Sequence, residues 1–528
     1  MLSGLKTLMT GVAMAATVMV AAQAQAQGAA VKTEVTIDAS KATNVIPPEI
    51  YGHFAEHLGR MIYEGVWVGE DSPIPNTRGI RNDVTKALKD LGVPVIRWPG
   101  GCFADRYNWK DGIGPRDQRP VTINTIWGGV EESNHFGTHE FFDFADQIGA
   151  KTYIAANVGS GSPREMSQWL EYLTAVDNSQ YAKLRRENGR EKPWVVDYIG
   201  IGNETWGCGG DMTPEHSADL FKQFATFADN YNPDQKTPET RMIKVMSGAN
   251  VADYNWTEVS MKNRNHNVHA LSLHYYTSAG LNWPPSRPSM GFDEAGWAVI
   301  LKEALHMEEL VQKHSAIMDK YDPEKKVALY VDEWGTWYKT DDETRPGFLY
   351  QQNTLRDALV AALHFNIFHK YTDRVKMANL AQTVNVLQAV ILTDNEKMIL
   401  TPTYHAFDLY KPFRGATHIP VSYEAPKYTH GDITLPALDI SAAKGADGTI
   451  WLALVNLDPN RPLEVNTKAL GFTAKSANGR VLTADKIDAH NTFENGSVVA
   501  PKPYEARGGN SGLVLKLAPK SVTVVQLK

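Results

Sequence analysis

Between about residues 50 and 395 the chain alternates short apolar runs, rich in β-branched residues, with longer amphipathic stretches, and this alternation constrains the fold more than any other feature. Runs that are apolar throughout suit strands buried on both faces, as in a parallel sheet wrapped by helices. Eight candidate strands are present: Ile50 to His53, Pro94 to Trp98, Lys151 to Asn157, Val195 to Asn203, Ile243 to Ser247, Ala270 to Tyr275, Val327 to Glu333 and Val375 to Ala381. Between them fall helices near Asp83 to Leu91, Thr138 to Gln147, Ala295 to Lys320 and Leu349 to His369. Pro163 to Leu173 carries a capping box from Ser162 to Glu165, and Pro214 to Asn230 has Thr213 as cap with Pro in the first turn. Eight such units predict an α/β fold of the (β/α)8 TIM barrel type.

After about residue 400 the pattern changes. Runs such as HIPVSYEA, GTIWLALVNL, RVLTADKI and SGLVLKLAPKSVTVVQLK lack helical periodicity and are punctuated by Gly, Asn and Pro, which predicts a jelly-roll-like β-sandwich. The early run Val31 to Ser40 alternates in the same way and is expected to join that sandwich as an N-terminal strand. The expected division is a leader over residues 1–26, a strand segment over 27–45, the barrel over 46–398 and the sandwich over 399–528.

The leader has one Lys, an apolar run of small and aliphatic residues, and Ala-x-Ala sites ending at Ala24 or Ala26, as a secretory signal peptide does. It implies a periplasmic or secreted protein. Its apolar run is too short for a comfortable membrane span, and no later segment is long enough, so no membrane partner is expected. The formal charge is −7, and −8 without Lys6 (52 Lys+Arg against 60 Asp+Glu), which argues against nucleic acid. Two cysteines, Cys102 and Cys208, provide neither a disulfide framework nor a four-thiolate zinc site. Both lie in Gly-rich loops, and the sequence is compatible with one bridge or with two free thiols. The histidines show no HExxH spacing, so no metal is expected. No dinucleotide loop or hydrolase elbow survives either: GIGNETWG lacks the third Gly, and GSGSP lacks Gly-x-Ser-x-Gly spacing. No organic cofactor is implied. Asn203-Glu-Thr forms a chance sequon.

Two glutamates stand out, Glu204 in YIGIGNETWGCGG and Glu333 in LYVDEWGTWY. Each follows an apolar run and has Trp nearby. By strand count Glu204 closes strand four and Glu333 closes strand seven, at the barrel end where reactive side chains converge. Burying an ionised carboxylate costs several kcal/mol unless it is paired, and paired carboxylates suit glycoside hydrolysis.

The motifs YGHFAEHLGRMIYEG, RWPGGCFADRYNW, WGGVEESNHFGTHEF, GNETWGCGG, HYY, DEWGTWY and NLAQTVNVLQ occur in that order along nearly the whole chain after the leader. Together they resemble the arabinofuranosidases of glycoside hydrolase family 51. The resemblance implies a retaining, exo-acting enzyme that removes terminal α-L-arabinofuranosyl groups from arabinoxylan, arabinan and arabino-oligosaccharides, and it implies a homo-oligomer. It assigns Glu204 as general acid/base and Glu333 as nucleophile. Forming the Glu333 ester removes a neighbouring negative charge, which favours release of the Glu204 proton when it must act as base. It places Glu56, Cys102, Asn203, Tyr276 and Gln382 against the furanose, Arg97 and His274 beside the carboxylates, and Trp127 and Trp337 as pocket walls. The residue types alone also fit a polar barrel layer (Glu56, Arg97), a core histidine (His274) and ordinary packing (Cys102, Trp127, Trp337). The competing functions are an endo-acting glucanase on the same scaffold and a non-catalytic carbohydrate-binding protein. The segments Lys110 to Asn134 and Ser278 to Asp293 are the expected specificity loops.

Overall fold

The computed structural model describes residues 30–278, 285–342, 344–509 and 512–528. Residues 1–29, on which the expected leader falls, and residues 279–284 of the Ser278–Asp293 segment lie outside the described residues. Among those residues no helix is long and apolar enough to cross a membrane.

Eight parallel strands close into a barrel: β1 (Gly52–Phe54), β2 (Val95–Trp98), β3 (Lys151–Ala156), β4 (Tyr198–Ile201), β5 (Ile243–Asn250), β6 (Ala270–Thr277), β7 (Ala328–Thr336) and β8 (Val375–Ala381). Each pairs with the next, and β8 returns to β1 through Asn379, Leu380 and Ala381. Side chains alternate along a strand, so every second residue points inward. Val95, Tyr153, Tyr198, Val245, Ala270, Tyr330 and Met377, one from each of seven strands, fill the interior as one apolar layer. The eighth strand contributes Gly52, where a Cβ would fall 2.2 Å from Asn379 Oδ1 and 2.6 Å from Val95 Cγ1. Two residues further along β2, β6 and β7 the inward positions turn polar, as Arg97, Ser272 and Asp332, and His274 follows on β6. The floor is thus apolar and the mouth charged.

The helices follow the expected signals with informative differences. Pro163–Thr174 is capped by Ser162, whose hydroxyl accepts from Glu165 N–H, and it buries Met166, Trp169, Leu170 and Leu173, the i, i+3, i+4, i+7 stripe. The expected Pro214 to Asn230 helix ends at Thr226, where Lys244 Nζ bonds the carbonyl of Ala225. The expected start at Leu349 shifts to Leu355, because Leu349 has φ of 51° and Thr354 with Asp357 forms a capping box. Strand four begins at Tyr198 rather than Val195, since Val196 gives its N–H and carbonyl to the Gln235 amide instead of to a strand. Strand seven runs on to Thr336, three residues past Glu333, with register shifts on both sides.

Two sheets follow the barrel. The six-stranded sheet has the order Thr417–Ile419, Leu438–Lys444, Ile450–Asn456, Ser521–Leu527, Ser476–Leu482, Lys502–Arg507. Its central strands are buried on both faces, and barrel helix Leu355–Lys370, itself buried along almost its whole length, packs against it. The four-stranded sheet has the order Val421–Tyr423, Val31–Asp38, Leu463–Leu470, Leu513–Leu517, so the N-terminal run lies parallel to Leu463–Leu470. Val31–Asp38 buries Thr33, Val35 and Ile37 and leaves the alternate positions exposed (Lys32, Glu34) or half-buried (Thr36, Asp38), as one covered face requires. Helix Pro402–Leu409, which the alternation did not signal, lies ahead of the first sandwich strand.

Candidate active site

The loops at the C-terminal mouth of the barrel enclose a cavity of about 690 Å³. Its walls come from the segments after β1, β2, β4, β5, β6, β7 and β8, and they include Glu56, Trp127, Glu204, Tyr276, Glu333, Trp337 and Gln382. Smaller cavities of about 60 and 160 Å³ are lined in part by Arg106, Tyr107 and Asn108.

Glu333 is buried and its oxygens are both engaged. Oε1 accepts from Arg97 Nη1 at 2.9 Å and Oε2 accepts from the Tyr276 hydroxyl at 2.9 Å. Burial pushes its pKa above the ordinary carboxylate value, while the His274 and Arg97 charges pull it back. Gly101 presses against it: a Cβ there would stand 2.7 Å from Glu333 Oε1, so only glycine lets the β2 loop approach this closely.

Glu204 sits differently. It lies three residues past the end of β4 in the left-handed region, with φ of 42°, a backbone state that a non-glycine residue holds at a cost of about 1–2 kcal/mol. Its carbonyl accepts from Gly207 N–H and Gly209 N–H, which pins the turn. Oε1 meets His274 Nδ1 at 2.8 Å. Oε2 lies 3.7 Å from Cys102 Sγ and 3.5 Å from Cys208 Sγ. The two cysteines form a disulfide, so these are contacts with sulfurs that carry no hydrogen.

His274 links the carboxylates. Besides Glu204 it lies 3.5 Å from Glu333 Oε2 through Nδ1 and 3.2 Å from Asp332 Oδ1 through Nε2. Burial opposes its charge, yet Glu333, Asp332 and Glu204 together raise its pKa to about 10, so it is an imidazolium at neutral pH. Asp332 also accepts from the Tyr153 hydroxyl at 2.7 Å; burial works against its charge, but Arg97 and His274 hold its pKa below the ordinary value. Arg97 ties the layer together, donating to the Asp332 carbonyl, to Glu333 and, at 2.6 Å, to Asn203 Oδ1. Burial lowers its pKa, but Asp332 and Glu333 raise it further.

Glu56 faces this layer from the segment after β1. Its Oε1 accepts from Gly101 N–H, Phe103 N–H and Trp127 Nε1, and its Oε2 accepts from Gln382 Nε2 at 2.8 Å. Burial first, and then the Glu333 charge, push its pKa up to about 7. Tyr276 and Trp337 meet edge to face at 4.9 Å, forming one wall.

The structure therefore brings all eleven residues singled out from the sequence to one cavity or to its immediate support. Cys102 arrives as half of a disulfide rather than as a thiol. Asp332, Tyr153 and Cys208 had no assigned part, although Asp332 stands beside Glu333 in the same motif. Glu204, His274 and Glu333 have donor atoms within 4.8 Å of one another, close enough to hold an ion. His274, however, faces a carboxylate through each ring nitrogen, which makes it a proton donor and not a lone-pair ligand.

A closed barrel whose mouth holds two neighbouring carboxylates in unlike surroundings is the architecture of a glycoside hydrolase. Two family models match the chain, the alpha-L-arabinofuranosidase 1 domain over residues 87–282 and the alpha-L-arabinofuranosidase C-terminal domain over residues 332–521. An intracellular exo-alpha-L-arabinofuranosidase of Bacteroides ovatus is 46% identical, over 99% of both chains. The crystal structure of the GH51 arabinofuranosidase from Xanthomonas axonopodis pv. citri is 50% identical and covers 94% of this chain and 100% of its own, with a TM-score of 0.91. The arabinose complex of the Thermotoga maritima enzyme is 30% identical, covering 94% and 99%, with a TM-score of 0.78. The chain belongs to the α-L-arabinofuranosidases of glycoside hydrolase family 51.

Proposed function

We propose that this arabinofuranosidase removes terminal non-reducing α-L-arabinofuranosyl groups from arabinoxylan, arabinan and their oligosaccharides by double displacement. Glu333 attacks the anomeric carbon and forms a covalent arabinosyl-enzyme. Glu204 protonates the leaving oxygen and then takes a proton from the water that hydrolyses the ester. The observation that carries this reading is proximity: an oxygen of Glu204 and one of Glu333 lie within 4.8 Å. Retaining enzymes hold their carboxyl groups about 5–5.5 Å apart, and inverting enzymes about 6.5–9.5 Å. The division of roles is supported by what each carboxylate touches. Glu333 is pinned by two donors that favour its charged form, and Glu204 has one oxygen against sulfurs that cannot donate.

The furanose would rest against Glu56, Asn203, Tyr276, Gln382 and the Cys102 sulfur, between Trp127 and Trp337. A cavity walled from seven of the eight strand ends suits a chain terminus better than an uninterrupted polymer, which supports exo action. Incubation with arabinoxylan and with p-nitrophenyl α-L-arabinofuranoside tests the reading. Free arabinose is expected from both, whereas cello-oligosaccharides from a β-glucan without arabinose release would favour the glucanase, and binding without turnover a lectin-like protein.

We further propose that residues 1–26 direct export, to a periplasm or to the medium. The Cys102–Cys208 bridge supports an oxidising compartment. Fused to a reporter active only after export, residues 1–30 should yield signal, and silence would overturn the proposal. Family likeness also leads us to propose a homo-oligomer, which light scattering would measure.

A further inference from the structure

The disulfide joins the loop after β2 to the loop after β4, across a sequence separation of 106 residues, and both half-cystines line the cavity. Its contacts with Glu204 are one-sided. Oε1 is taken by His274 at 2.8 Å, whereas Oε2 meets Cys102 Sγ at 3.7 Å and Cys208 Sγ at 3.5 Å. A thiol in either place would be a weak donor aimed at a carboxylate, and a bridged sulfur is none. Oxidation therefore removes two donors from the one oxygen of Glu204 that His274 leaves open.

We propose that the Cys102–Cys208 bridge is a positioning element for proton transfer, keeping Glu204 Oε2 open to carry the proton delivered to the leaving group. Reduction turns the same contacts into competitors for that oxygen. The inference rests on the acid/base reading of Glu204. A dithiol supplies the two electrons and two protons: the S–S bond breaks, two S–H bonds form, and the dithiol closes to a cyclic disulfide. The loops have other anchors, so reduction leaves Glu204 in place. Gly207 and Gly209 N–H hold its carbonyl, Met212 N–H holds that of Thr205, and Gly101 and Phe103 N–H grip Glu56 on either side of Cys102.

The test compares two substrates on the mature enzyme. Methyl α-L-arabinofuranoside has a leaving group that must be protonated, and p-nitrophenyl α-L-arabinofuranoside has one that needs little help. Measured with a thiol titre before dithiol treatment, after it and after reoxidation, kcat/KM should fall about tenfold for the methyl glycoside and less than about twofold for the nitrophenyl one, and should recover. Two double variants separate donor chemistry from simple tethering. Cys102→Ser/Cys208→Ser, which puts hydroxyl donors at both places, should show the selective loss. Cys102→Ala/Cys208→Ala, which puts none there, should keep the bridged enzyme's ratio of the two rates. Equal losses on both substrates, no loss on reduction, like behaviour of the Ser and Ala pairs, or free thiols in the untreated enzyme would each overturn the inference. Glu204→Ala serves as the separate control. If it fails to slow the methyl glycoside more than the nitrophenyl one, the acid/base reading itself falls and takes the inference with it.

Discussion

Glu333 and Glu204, the two carboxylates proposed to carry the reaction, share a cavity and differ in their surroundings. Glu333 stands inside β7, has 6% of its side chain exposed, and spends both oxygens on Arg97 and Tyr276. Glu204 stands beyond β4 on a left-handed turn, has 16% exposed, and shows one oxygen to His274 and the other to a disulfide. The same side chain is thus built once as a buried group with both oxygens taken by donors and once as a group with an open oxygen. On the proposed division of roles, surroundings and not residue type separate the nucleophile from the proton shuttle.

Substitutions that erase one side of this contrast should have unequal effects. Glu333→Ala removes the proposed nucleophile and is expected to lower kcat by at least ~10⁴-fold with every leaving group; appreciable turnover of the nitrophenyl glycoside would break the comparison. Glu204→Ala should cost about 10²–10⁴-fold on substrates with poor leaving groups, less on activated ones, and azide should rescue the latter. A uniform loss would show that the two carboxylates are not distinct.

Smaller changes sharpen the contrast. Tyr276→Phe deletes one of the two donors to the Glu333 carboxylate, so about a tenfold fall in kcat/KM is expected. Loss of that donor raises the pKa of Glu333 further, so the acidic limb of the pH profile should move to higher pH; an unmoved limb would contradict the role given to that hydroxyl. Glu56→Gln probes the neighbouring carboxylate through stability. Its folded pKa of about 7 lies above the ordinary 4.5, so its favourable contribution is complete below about pH 4.5 and is lost as pH rises through 7. The variant should therefore lose less thermal stability than the parent between pH 4.5 and 8, by an amount on the order of a few kcal/mol. Parallel stability curves for the two proteins would contradict this.

Much of this arrangement is legible in the chain, because the barrel imposes simple periodicities. Apolar runs alternating with amphipathic helices encode β1 to β8, and a carboxylate at the end of such a run with Trp beside it marks the mouth. What escaped has particular causes. The end of β7 is hidden because register shifts, not residue type, carry the strand three residues past Glu333. The start of β4 is hidden because Gln235, distant in sequence, takes the backbone groups of Val196. The bridge is hidden because 106 residues separate its halves, and only closure of the barrel brings their Cα atoms to 5.4 Å. The part of Asp332 is hidden because the chain does not say that it turns inward to His274 and Tyr153 while Glu333 faces the cavity.

The contrast between Glu333 and Glu204 has meaning only if both act on one anomeric carbon from opposite sides. Proton NMR of the first sugar released from p-nitrophenyl α-L-arabinofuranoside, recorded before mutarotation, reads this directly. The α-anomer of L-arabinofuranose is predicted as first product; first appearance of the β-anomer would mean single displacement and would contradict the assignment of Glu333 as nucleophile.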